Sequence, residues 1–421
     1  MAERFAICAG TLIPMNGPPI ADGAVLVAGD RIEQLTVRSQ LPSDVPREEH
    51  PKGILLPAFV NAHTHIVYTA FRGLADDADF YTWITGHIIP LGIDQREAEC
   101  RDSARRGITE CFRNGITTLG EQHYTPWGRD AMLELGMKGV FFYEVFGLTT
   151  LNLARSVERD RAMIENLAAG ATDRLRTGVA PHAPYSVTPP MAAMAREMAE
   201  RHRLPISTHI AETRDEIELF LRGEGKFANV RRAAGIPHPD PKCTPLRYFD
   251  DLGLLTPRTL IVHGVHLSDS DLNIIADRGC TMVTCPTSNA KLGAGIARVG
   301  PWTNRGIPVC IATDSPASGE TFDLFEEMRR FVLMQRALTG ETGAFPAEQV
   351  IRMVTTNPAK ALGMEAMVGD LREGSCADMI VVEPDRGGSR QYRDAYQTLL
   401  WDITRDHNVA VWADGREVYR R

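Results

Sequence analysis

Short apolar runs alternate repeatedly with longer amphipathic stretches along this 421-residue chain, and few folds accommodate that alternation. The stretches TPPMAAMAREMAERHR and DLFEEMRRFVLMQRAL place apolar residues at helical spacing. Strands that alternate with helices in this way form parallel sheets. Eight apolar runs are predicted to be the strands, namely ILLPAFV, GITTLG, GVFFYEVF, RTGVAP, PISTHI, TLIVHG, TMVTC and PVCIAT.

Eight strand–helix units in about 310 residues match the size of a (β/α)₈ barrel. We therefore predict an α/β fold, a TIM barrel, in which residues 55–368 form the barrel. The chain ends differ, since short strand candidates such as GAVLVAGDRIEQL and CADMIVVEP are separated by turn residues. Residues 1–54 and 369–421 are predicted to combine into one small β-sandwich domain.

The longest irregular stretch is predicted from Arg222 to Pro257, after the fifth strand, where glycines and prolines are frequent. Long loops in compact domains are often functional. This stretch is therefore either a lid over a site or a surface insertion.

Composition and charge exclude several classes of partner. The formal net charge is -8 and no Lys/Arg-rich run is present, which disfavours nucleic acid and anionic membranes as partners. The N-terminal MAERFAICAG lacks the pattern of a signal peptide, and we expect a cytoplasmic protein. The eight cysteines form no C-x-x-C pair, so we expect buried free thiols rather than disulfides or a thiolate zinc site.

Polar residues follow several predicted strands, at the end of a barrel where active sites lie. The first strand ends in NAHTH, where His63 and His65 are two residues apart and can point toward one ion. The fifth strand ends in His209, the sixth in His263 and the eighth in Asp314. A single strand-end histidine is more often an ordinary polar residue than a ligand. Three imidazoles and one carboxylate together, however, suit Zn²⁺ and leave a position for water.

Seven segments of the chain share order and spacing with one known family. They are LLPAFVNAHTH, HAPYSV, STHIAETRDE, LIVHGVHLSDSDL, CPTSNAKLGAG, IATDSPASGETFDLFEEMR and GDLREGSCADMIVVEP. Over essentially its whole length the chain resembles the amidohydrolase superfamily, in the branch that contains cytosine, guanine and S-adenosylhomocysteine deaminases, aminodeoxyfutalosine deaminases and s-triazine hydrolases.

The resemblance implies a metal site and a set of proton-handling residues. His63, His65, His209 and Asp314 would bind one Zn²⁺ per chain, or Fe²⁺ as in some relatives. Asp314 would also act as a base that helps to protonate the leaving amine.

The resemblance also assigns His263 to orient the attacking water and Glu212 to carry a proton to a ring nitrogen of the substrate. The alternatives are that Glu212 is only an acid in the first turn of a helix, which the helix dipole favours, and that His263 is only a packed strand residue.

Substrate contacts are predicted at several further positions. His182, in PHAPY after the fourth strand, matches a substrate-contacting position of related nucleoside deaminases, and the alternative is a loop-capping histidine. Trp83, Tyr185 and Phe71 are candidates to stack on a flat ring, although aromatic residues near a barrel mouth more often pack. Ser288, in CPTSNAKLGAG, completes the predicted contacts.

Two departures from the family pattern bear on the substrate. Gly92 occupies the position where adenosine-type deaminases place a glutamate that holds the ribose hydroxyls, and Asp94 is a possible substitute. After the second strand, Glu121 and His123 either contact a small heterocycle, as in triazine hydrolases, or form a structural hydrogen-bonded pair.

The resemblance therefore predicts a zinc-dependent hydrolase that removes an exocyclic amino group from a purine-like nucleoside or free base and releases ammonia. The alternatives are an s-triazine-type hydrolase, which displaces an amine or a halide, and a non-catalytic binding protein. The expected partners are a small heterocyclic substrate and further copies of the chain, as a dimer or a larger homo-oligomer.

Overall fold

The computed structural model describes residues 4–94, 96–147, 152–233, 242–384 and 393–421, without the side chains at 93 and 94. The strands are β1 (Arg4–Leu12), β2 (Ile20–Ala28), β3 (Arg31–Val37), β4 (Arg47–Pro57), β5 (Phe59–Thr64), β6 (Ile116–His123), β7 (Lys138–Val145), β8 (Leu175–Pro181), β9 (Ile206–Ile210), β10 (Thr259–His263), β11 (Thr281–Thr284), β12 (Val309–Ile311), β13 (Met379–Val382), β14 (Asn408–Ala413) and β15 (Arg416–Arg420).

Helices follow the barrel strands and connect them. They are α1 (Phe80–Trp83), α2 (Ile89–Asp94), α3 (Glu97–Arg113), α4 (Trp127–Leu135), α5 (Leu153–Ala169), α6 (Pro189–His202), α7 (Arg214–Arg222), α8 (Gly225–Ala233), α9 (Pro245–Asp251), α10 (Asp269–Arg278), α11 (Pro286–Lys291), α12 (Gly300–Thr303), α13 (Pro316–Gly319), α14 (Leu324–Thr339), α15 (Ala347–Arg352), α16 (Thr356–Ala361) and α17 (Ala395–Trp401). A π-helical turn spans Ile84–Ile88, and 3₁₀ helices span Arg38–Gln40, Ile66–Phe71 and Arg405–His407. Among these described helices, none has the length and apolar character needed to cross a bilayer.

The eight strands from β5 to β12 form one parallel sheet in sequence order. The Asp314 backbone N–H donates to the His63 carbonyl over 3.2 Å, which joins the chain after β12 to β5. The Asn61 side-chain amide also donates to Thr313 Oγ1 over 2.7 Å. The predicted barrel is confirmed, and its closure places Asp314 beside the end of β5.

The remaining strands form a separate seven-stranded mixed sheet in the order β15-β14-β13-β4-β1-β2-β3. Both chain ends contribute to this sheet, which confirms the predicted small β domain. Its strands β13 and β4 pair antiparallel through Ile54–Pro57 and Met379–Val382.

The interpretation of ILLPAFV as one strand is wrong. Residues Ile54–Pro57 end β4 in the small sheet, whereas Phe59 begins β5 of the barrel. Between them, the Ala58 N–H donates to the Asp378 carbonyl over 3.0 Å. One apolar run therefore crosses from one sheet to the other, because both sheets bury it.

The prediction of an irregular stretch from Arg222 to Pro257 is also wrong for much of its length. Helices α8 and α9 lie within it. Pro245 occupies the first turn of α9, and the Thr244 side chain accepts the Arg247 N–H as the N-cap. The turn-like composition therefore marks a helix start as well as a loop. Residues 234–241 lie outside the described residues, so the lid stays a prediction.

The prediction of buried free thiols is confirmed for seven of the eight cysteines. All eight cysteines are free thiols, and seven of them are buried while Cys243 is partly exposed.

Candidate metal centre and active site

Three imidazoles and one carboxylate converge at the carboxyl ends of the barrel strands. His209 Nε2 lies 3.3 Å from His63 Nε2. Asp314 Oδ1 lies 3.4 Å from His63 Nε2 and 3.6 Å from His65 Nε2. The structure therefore brings together the four residues predicted to bind a metal. His63 and His209 lie on β5 and β9, and His65 and Asp314 come just after β5 and β12.

Hydrogen bonds outside the cluster fix the direction of two of these side chains. His209 Nδ1 donates to the His182 carbonyl over 2.9 Å, so the lone pair of its neutral ring is on Nε2, toward the cluster. The hydroxyls of Ser288 and Ser318 donate to Asp314 Oδ2 over 2.6 and 3.0 Å. The other carboxylate oxygen, Oδ1, is left facing the imidazoles.

The electrostatics of the cluster suit a cation. Burial lowers the pKa of His63 to about 4 and holds the pKa of His209 well below its ordinary value, so both rings are neutral near pH 7. Burial opposes ionisation of Asp314, but its hydrogen bond to His63 and the neighbouring imidazoles hold its pKa well below the usual range. Neutral imidazole and ionised carboxylate are the forms that bind metal ions.

Glu212 and His263 lie beside this cluster. Glu212 Oε1 is 3.5 Å from His263 Nε2, and both side chains are buried. His263 Nδ1 donates to Asn289 Oδ1 over 2.8 Å, so the free lone pair of the neutral ring is on Nε2. Burial, with Asp314 nearby, raises the pKa of Glu212 well above its ordinary value.

Asp314 of the cluster and the neighbouring His263 have strained backbone conformations. His263 has φ of 71° and Asp314 has φ of 59°, in the left-handed region that non-glycine residues rarely adopt. Such strain persists only where the surrounding structure holds it, and it concentrates at functional sites. The strain turns both side chains toward the cluster at the point where their strands end.

A cavity of about 640 Å³ opens over the cluster. Its floor is polar and includes His65, His209, Glu212, His263 and Asp314. Its walls are largely apolar, and the aromatic residues among them are Tyr68, Phe80, Trp83, Tyr124, Trp127, Phe146, Tyr185 and Phe227. A flat ring with an apolar substituent fits such a lining better than a highly charged molecule does.

Three of the predicted substrate contacts line this cavity, namely His182, Trp83 and Tyr185. The Tyr185 ring stacks on Phe227 of α8 with centroids 4.4 Å apart, so α8 forms part of the cavity wall. Ser288 is not among the lining residues, and its hydroxyl acts on Asp314 instead. Phe71 is also outside the lining and stacks on Tyr68.

Glu121, a predicted substrate contact, lies outside the cavity lining. Its side chain is fully buried, and Oε2 accepts the Thr64 hydroxyl and the Ile66 N–H, each over 2.9 Å. These donors flank His65 in the sequence, so Glu121 fixes the chain around that ligand candidate.

His123 is also fully buried and does not line the cavity. Its Nδ1 accepts the Thr125 N–H over 3.1 Å, and its ring stacks on Tyr124. His123 therefore packs behind the cavity wall. The hydrogen bonds of His123 go to Thr125 and those of Glu121 to Thr64 and Ile66, so the two side chains do not form the hydrogen-bonded pair of the structural alternative.

Gly92 lines the cavity through its backbone. Its carbonyl accepts the Tyr124 hydroxyl over 3.0 Å, and a Cβ added at Gly92 would lie 3.3 Å from that hydroxyl oxygen. A side chain at this position would therefore require the Tyr124 hydroxyl to shift slightly. The Asp94 side chain lies outside the described residues, and its role stays a prediction.

Glu144 is a cavity residue that the sequence reasoning missed. It is buried near the end of β7 and lines the cavity, and burial raises its pKa. The sequence does carry a signal for it, since Glu144 is the one acidic residue in the apolar run GVFFYEVF. It precedes the last residue of its strand and does not follow it, unlike the other polar residues near strand ends.

Comparison with known proteins agrees with this geometry. Residues 54–418 match the model described as "Amidohydrolase family". The chain is 30% identical over 417 residues to a 5'-deoxyadenosine deaminase of Methanothermobacter thermautotrophicus. The alignment covers 97% of this chain and 93% of that relative. The chain is also 32% identical over 379 residues to a 5-methylthioadenosine/S-adenosylhomocysteine deaminase of Syntrophobacter fumaroxidans. That alignment covers 89% of this chain and 82% of the relative.

A solved structure shares the fold. An adenosine deaminase from Xanthomonas campestris, crystallised with bound zinc, superposes with a TM-score of 0.84 at 24% identity and covers 98% of this chain and 92% of that chain.

Proposed function

The chain belongs to the amidohydrolase family, and from this we propose that it is a metal-dependent deaminase of a purine nucleoside. It would replace the exocyclic amino group of the base by a carbonyl oxygen and release ammonia. The observation that carries the proposal is the convergence of Glu212, His263 and Asp314 on a three-imidazole cluster at the floor of the large cavity. The two relatives named as adenosine-derivative deaminases support the choice of substrate.

The donor set fits one divalent metal ion. One ring nitrogen from each of His63, His65 and His209 lies within 4.8 Å of the others, which allows a single ion to touch all three. Asp314 Oδ1 supplies a fourth donor, and three neutral imidazoles with a carboxylate match the preferences of Zn²⁺, with Fe²⁺ as an alternative. When bound, such an ion lowers the pKa of a water molecule toward neutrality and so supplies a nucleophile.

The chain's own residues manage the protons of the reaction. His263 Nε2, which faces the cluster with a lone pair, accepts a hydrogen bond from water and orients it. Glu212 carries a proton to a ring nitrogen of the base, which makes the attacked carbon more electrophilic. Asp314 takes a proton and returns it to the leaving amine, while Ser288 and Ser318 hold its other oxygen.

The apolar walls position the base and exclude water. Trp83 and Tyr185 lie on the walls, where they can pack against a flat ring. His182 lines the cavity beside His209, with ring centroids 4.8 Å apart, and is placed to contact the same ring.

An assay of ammonia release tests the proposal. Purified protein is incubated with 5'-deoxyadenosine, adenosine, adenine, guanine, cytosine and an aminotriazine. We expect turnover of the nucleosides, and the Glu212→Gln variant provides the inactive control. Turnover of the aminotriazine or of free bases alone would contradict a nucleoside substrate and favour the triazine-hydrolase alternative. No turnover of any compound by metal-loaded protein would favour the non-catalytic alternative.

Two further properties belong to the proposal. We propose a cytoplasmic protein and a homo-oligomer, a dimer or larger. Light scattering of the purified chain tests the assembly, and a monomer at micromolar concentration would contradict it.

A further inference from the structure

Glu216 is a buried carboxylate that has no role in the proposed reaction so far. It lies in the first turn of α7 and is fully buried. Its two oxygens accept two consecutive backbone N–H groups, since Oε1 accepts from Ala211 and Oε2 accepts from Glu212, each over 3.0 Å. Both donors lie in the short segment between β9 and α7, which carries Glu212 to the floor of the cavity. Glu216 therefore holds the main chain at the residue that transfers a proton.

The segment that Glu216 holds has an unusual backbone. Ala211 has φ of 54°, in the left-handed region that a residue with a Cβ rarely adopts. The Ala211 carbonyl accepts the His266 N–H over 2.9 Å, so the chain after β10 fixes the carbonyl side of this turn. Glu216 fixes the N–H side. Such strain persists only where the surrounding structure holds it, and this turn comes directly before Glu212.

An acid at this position of a helix ordinarily acts as a cap. In a capping box, the acid three residues after the N-cap accepts the N–H of the N-cap itself. Helix α10 has this form, since Asp271 Oδ2 accepts the N–H of its N-cap Ser268 over 2.9 Å. The N-cap of α7 is Thr213, but the Glu216 carboxylate reaches past it to the two residues before. It therefore contacts the segment that carries Glu212 rather than the helix end.

The position of Glu212 matters because proton transfer requires hydrogen-bond distance. A general acid must lie within about 2.6–3.2 Å of the atom that receives its proton, and a displacement of about 1 Å can cost about a hundredfold in rate. Glu212 Oε1 lies 3.5 Å from His263 Nε2 at the floor of the cavity. A shift of the two N–H groups that Glu216 holds would move this carboxyl.

We propose that Glu216 is a positioning residue that holds Glu212 at the place its proton transfer requires. This inference rests on the proposed nucleoside deamination and assigns part of its rate to a residue outside the cavity lining. Glu216 acts through Glu212 and not on the substrate. Its loss should therefore lower kcat and leave KM nearly unchanged, because the proton transfer stabilises the transition state rather than the bound substrate.

The first test is Glu216→Gln, assayed on the nucleoside that the wild-type protein turns over fastest. The amide keeps the side-chain shape and removes the burial cost that raises the pKa of Glu216 to about 8. Its nitrogen, however, presents a donor to a backbone N–H, so the segment has to shift. We expect kcat to fall about tenfold to a hundredfold, with KM within about twofold of the wild-type value.

A double-mutant cycle shows whether Glu216 acts through Glu212. In the Glu212→Gln background, Glu216→Gln should lower the residual kcat by less than about twofold, because the group that Glu216 positions is already lost. A general weakening of the fold would instead lower kcat by the same factor in both backgrounds. Thermal unfolding and bound metal per chain, measured on each variant, give the folded and metal-loaded fraction.

Two further variants guard this result. Glu216→Asp keeps an acid in the first turn of α7 but is one methylene shorter, so it cannot reach both N–H groups. It tests the inference where Glu216→Gln does not fold, and we expect a similar fall in kcat. Asp271→Asn is the matched control, since it also changes a buried first-turn acid but one that holds a residue outside the cavity lining. It should leave kcat per folded molecule within about twofold of the wild-type value.

Several outcomes would overturn the inference. If Glu216→Gln and Glu216→Asp keep the wild-type kcat, Glu216 has no part in positioning, while nucleoside deamination stands. The same holds if Glu216→Gln lowers kcat equally with and without the Glu212 carboxyl. If wild-type protein releases no ammonia from nucleosides, the proposed function fails and this inference fails with it.

Discussion

The two ends of strand β7 each carry a buried ionisable side chain in very different surroundings. At the amino end, Lys138 Nζ lies 2.9 Å from Asp378 Oδ1 and 3.1 Å from Asp414 Oδ1, both from the small sheet. Burial opposes the charge on Lys138, but the two carboxylates more than offset it and raise its pKa. At the carboxyl end, Glu144 faces the cavity, and the His182 imidazole 4.0 Å away is neutral.

The difference separates buried charge that stabilises the fold from buried charge that serves chemistry. The Lys138 cluster joins the barrel to the small sheet, and its charges are compensated within the chain. Glu144 and Glu212 lack compensation of that kind, and burial raises the pKa of each. Changes at the first cluster should therefore affect stability, and changes at the second should affect turnover.

The largest expected effect is on turnover, in Glu212→Gln. Removal of a proton-transferring carboxyl typically costs about 10²–10⁴-fold in rate. The amide has the same shape and needs no proton to be neutral in this buried site, so we expect an unfolding midpoint equal to or above that of the wild type. Steady-state ammonia release and thermal unfolding measure the two effects. Wild-type turnover in this variant would remove Glu212 from the mechanism.

The next effect is on stability, in Lys138→Met. This change leaves the buried Asp378 without its cation, whereas Asp414 is 19% exposed and keeps Arg174 at 3.4 Å. Breaking a buried ion pair in this way typically costs about 3–5 kcal/mol. The folded fraction should keep its kcat, because Lys138 lies at the opposite end of the barrel strand from the cavity. Urea unfolding together with kcat per folded molecule provides the measurement. A loss of kcat without a loss of stability would contradict the comparison.

A smaller effect concerns pH. Burial lowers the pKa of His123 to about 3, from 6.5, so the unfolded chain takes up a proton there that the native chain does not. Stability from this group is complete above pH 6.5 and falls as the pH drops toward 3. Between pH 7 and 5 the loss is about 2 kcal/mol for one such group. His123→Asn should flatten the pH dependence of the free energy of unfolding by this amount, and an unchanged slope would contradict it.

The smallest effect is expected at an exposed ion pair. Arg105 Nη2 lies 2.8 Å from Glu134 Oε2, and both side chains are about half exposed, at 42% and 50%. Exposed pairs contribute little because water and salt screen them. Arg105→Ala should leave the unfolding midpoint and the turnover within experimental error. A loss as large as that of Lys138→Met would show that burial does not explain the difference between these pairs.

The alternation of strands and helices was sufficient to predict the barrel and the meeting of its candidate ligands at the strand ends. His63, His65, His209 and Asp314 follow apolar runs directly, and a parallel barrel brings all strand ends to one face. The hydrogen-bond register was not predictable in the same way. The pairing of β5 with β6 shifts between Asn61 and Thr64. Such a shift changes which side chains face inward. The sequence therefore did not show whether Glu121 contacts the substrate or forms structural hydrogen bonds.

Local composition was misleading where tertiary contacts decide the structure. ILLPAFV has uniform apolar character, although its two halves lie in different sheets. The Gly- and Pro-rich stretch after α7 contains two helices, and Pro245 starts the second of them rather than interrupting it. Glu144 was not predicted as a cavity residue, because a single acidic residue in an apolar strand does not by itself indicate a site. Its significance comes from His182 and Gln122, which reach it from neighbouring strands.

The proposed reaction requires a metal ion held by the cluster of His63, His65, His209 and Asp314. The most direct test measures metal content and ammonia release on one preparation, before chelation, after chelation and after addition of Zn²⁺. We predict about one equivalent of zinc or iron per chain at the start, loss of turnover with the metal, and recovery with Zn²⁺. Full turnover of a nucleoside by protein with less than about a tenth of an equivalent of any divalent metal would contradict the claim.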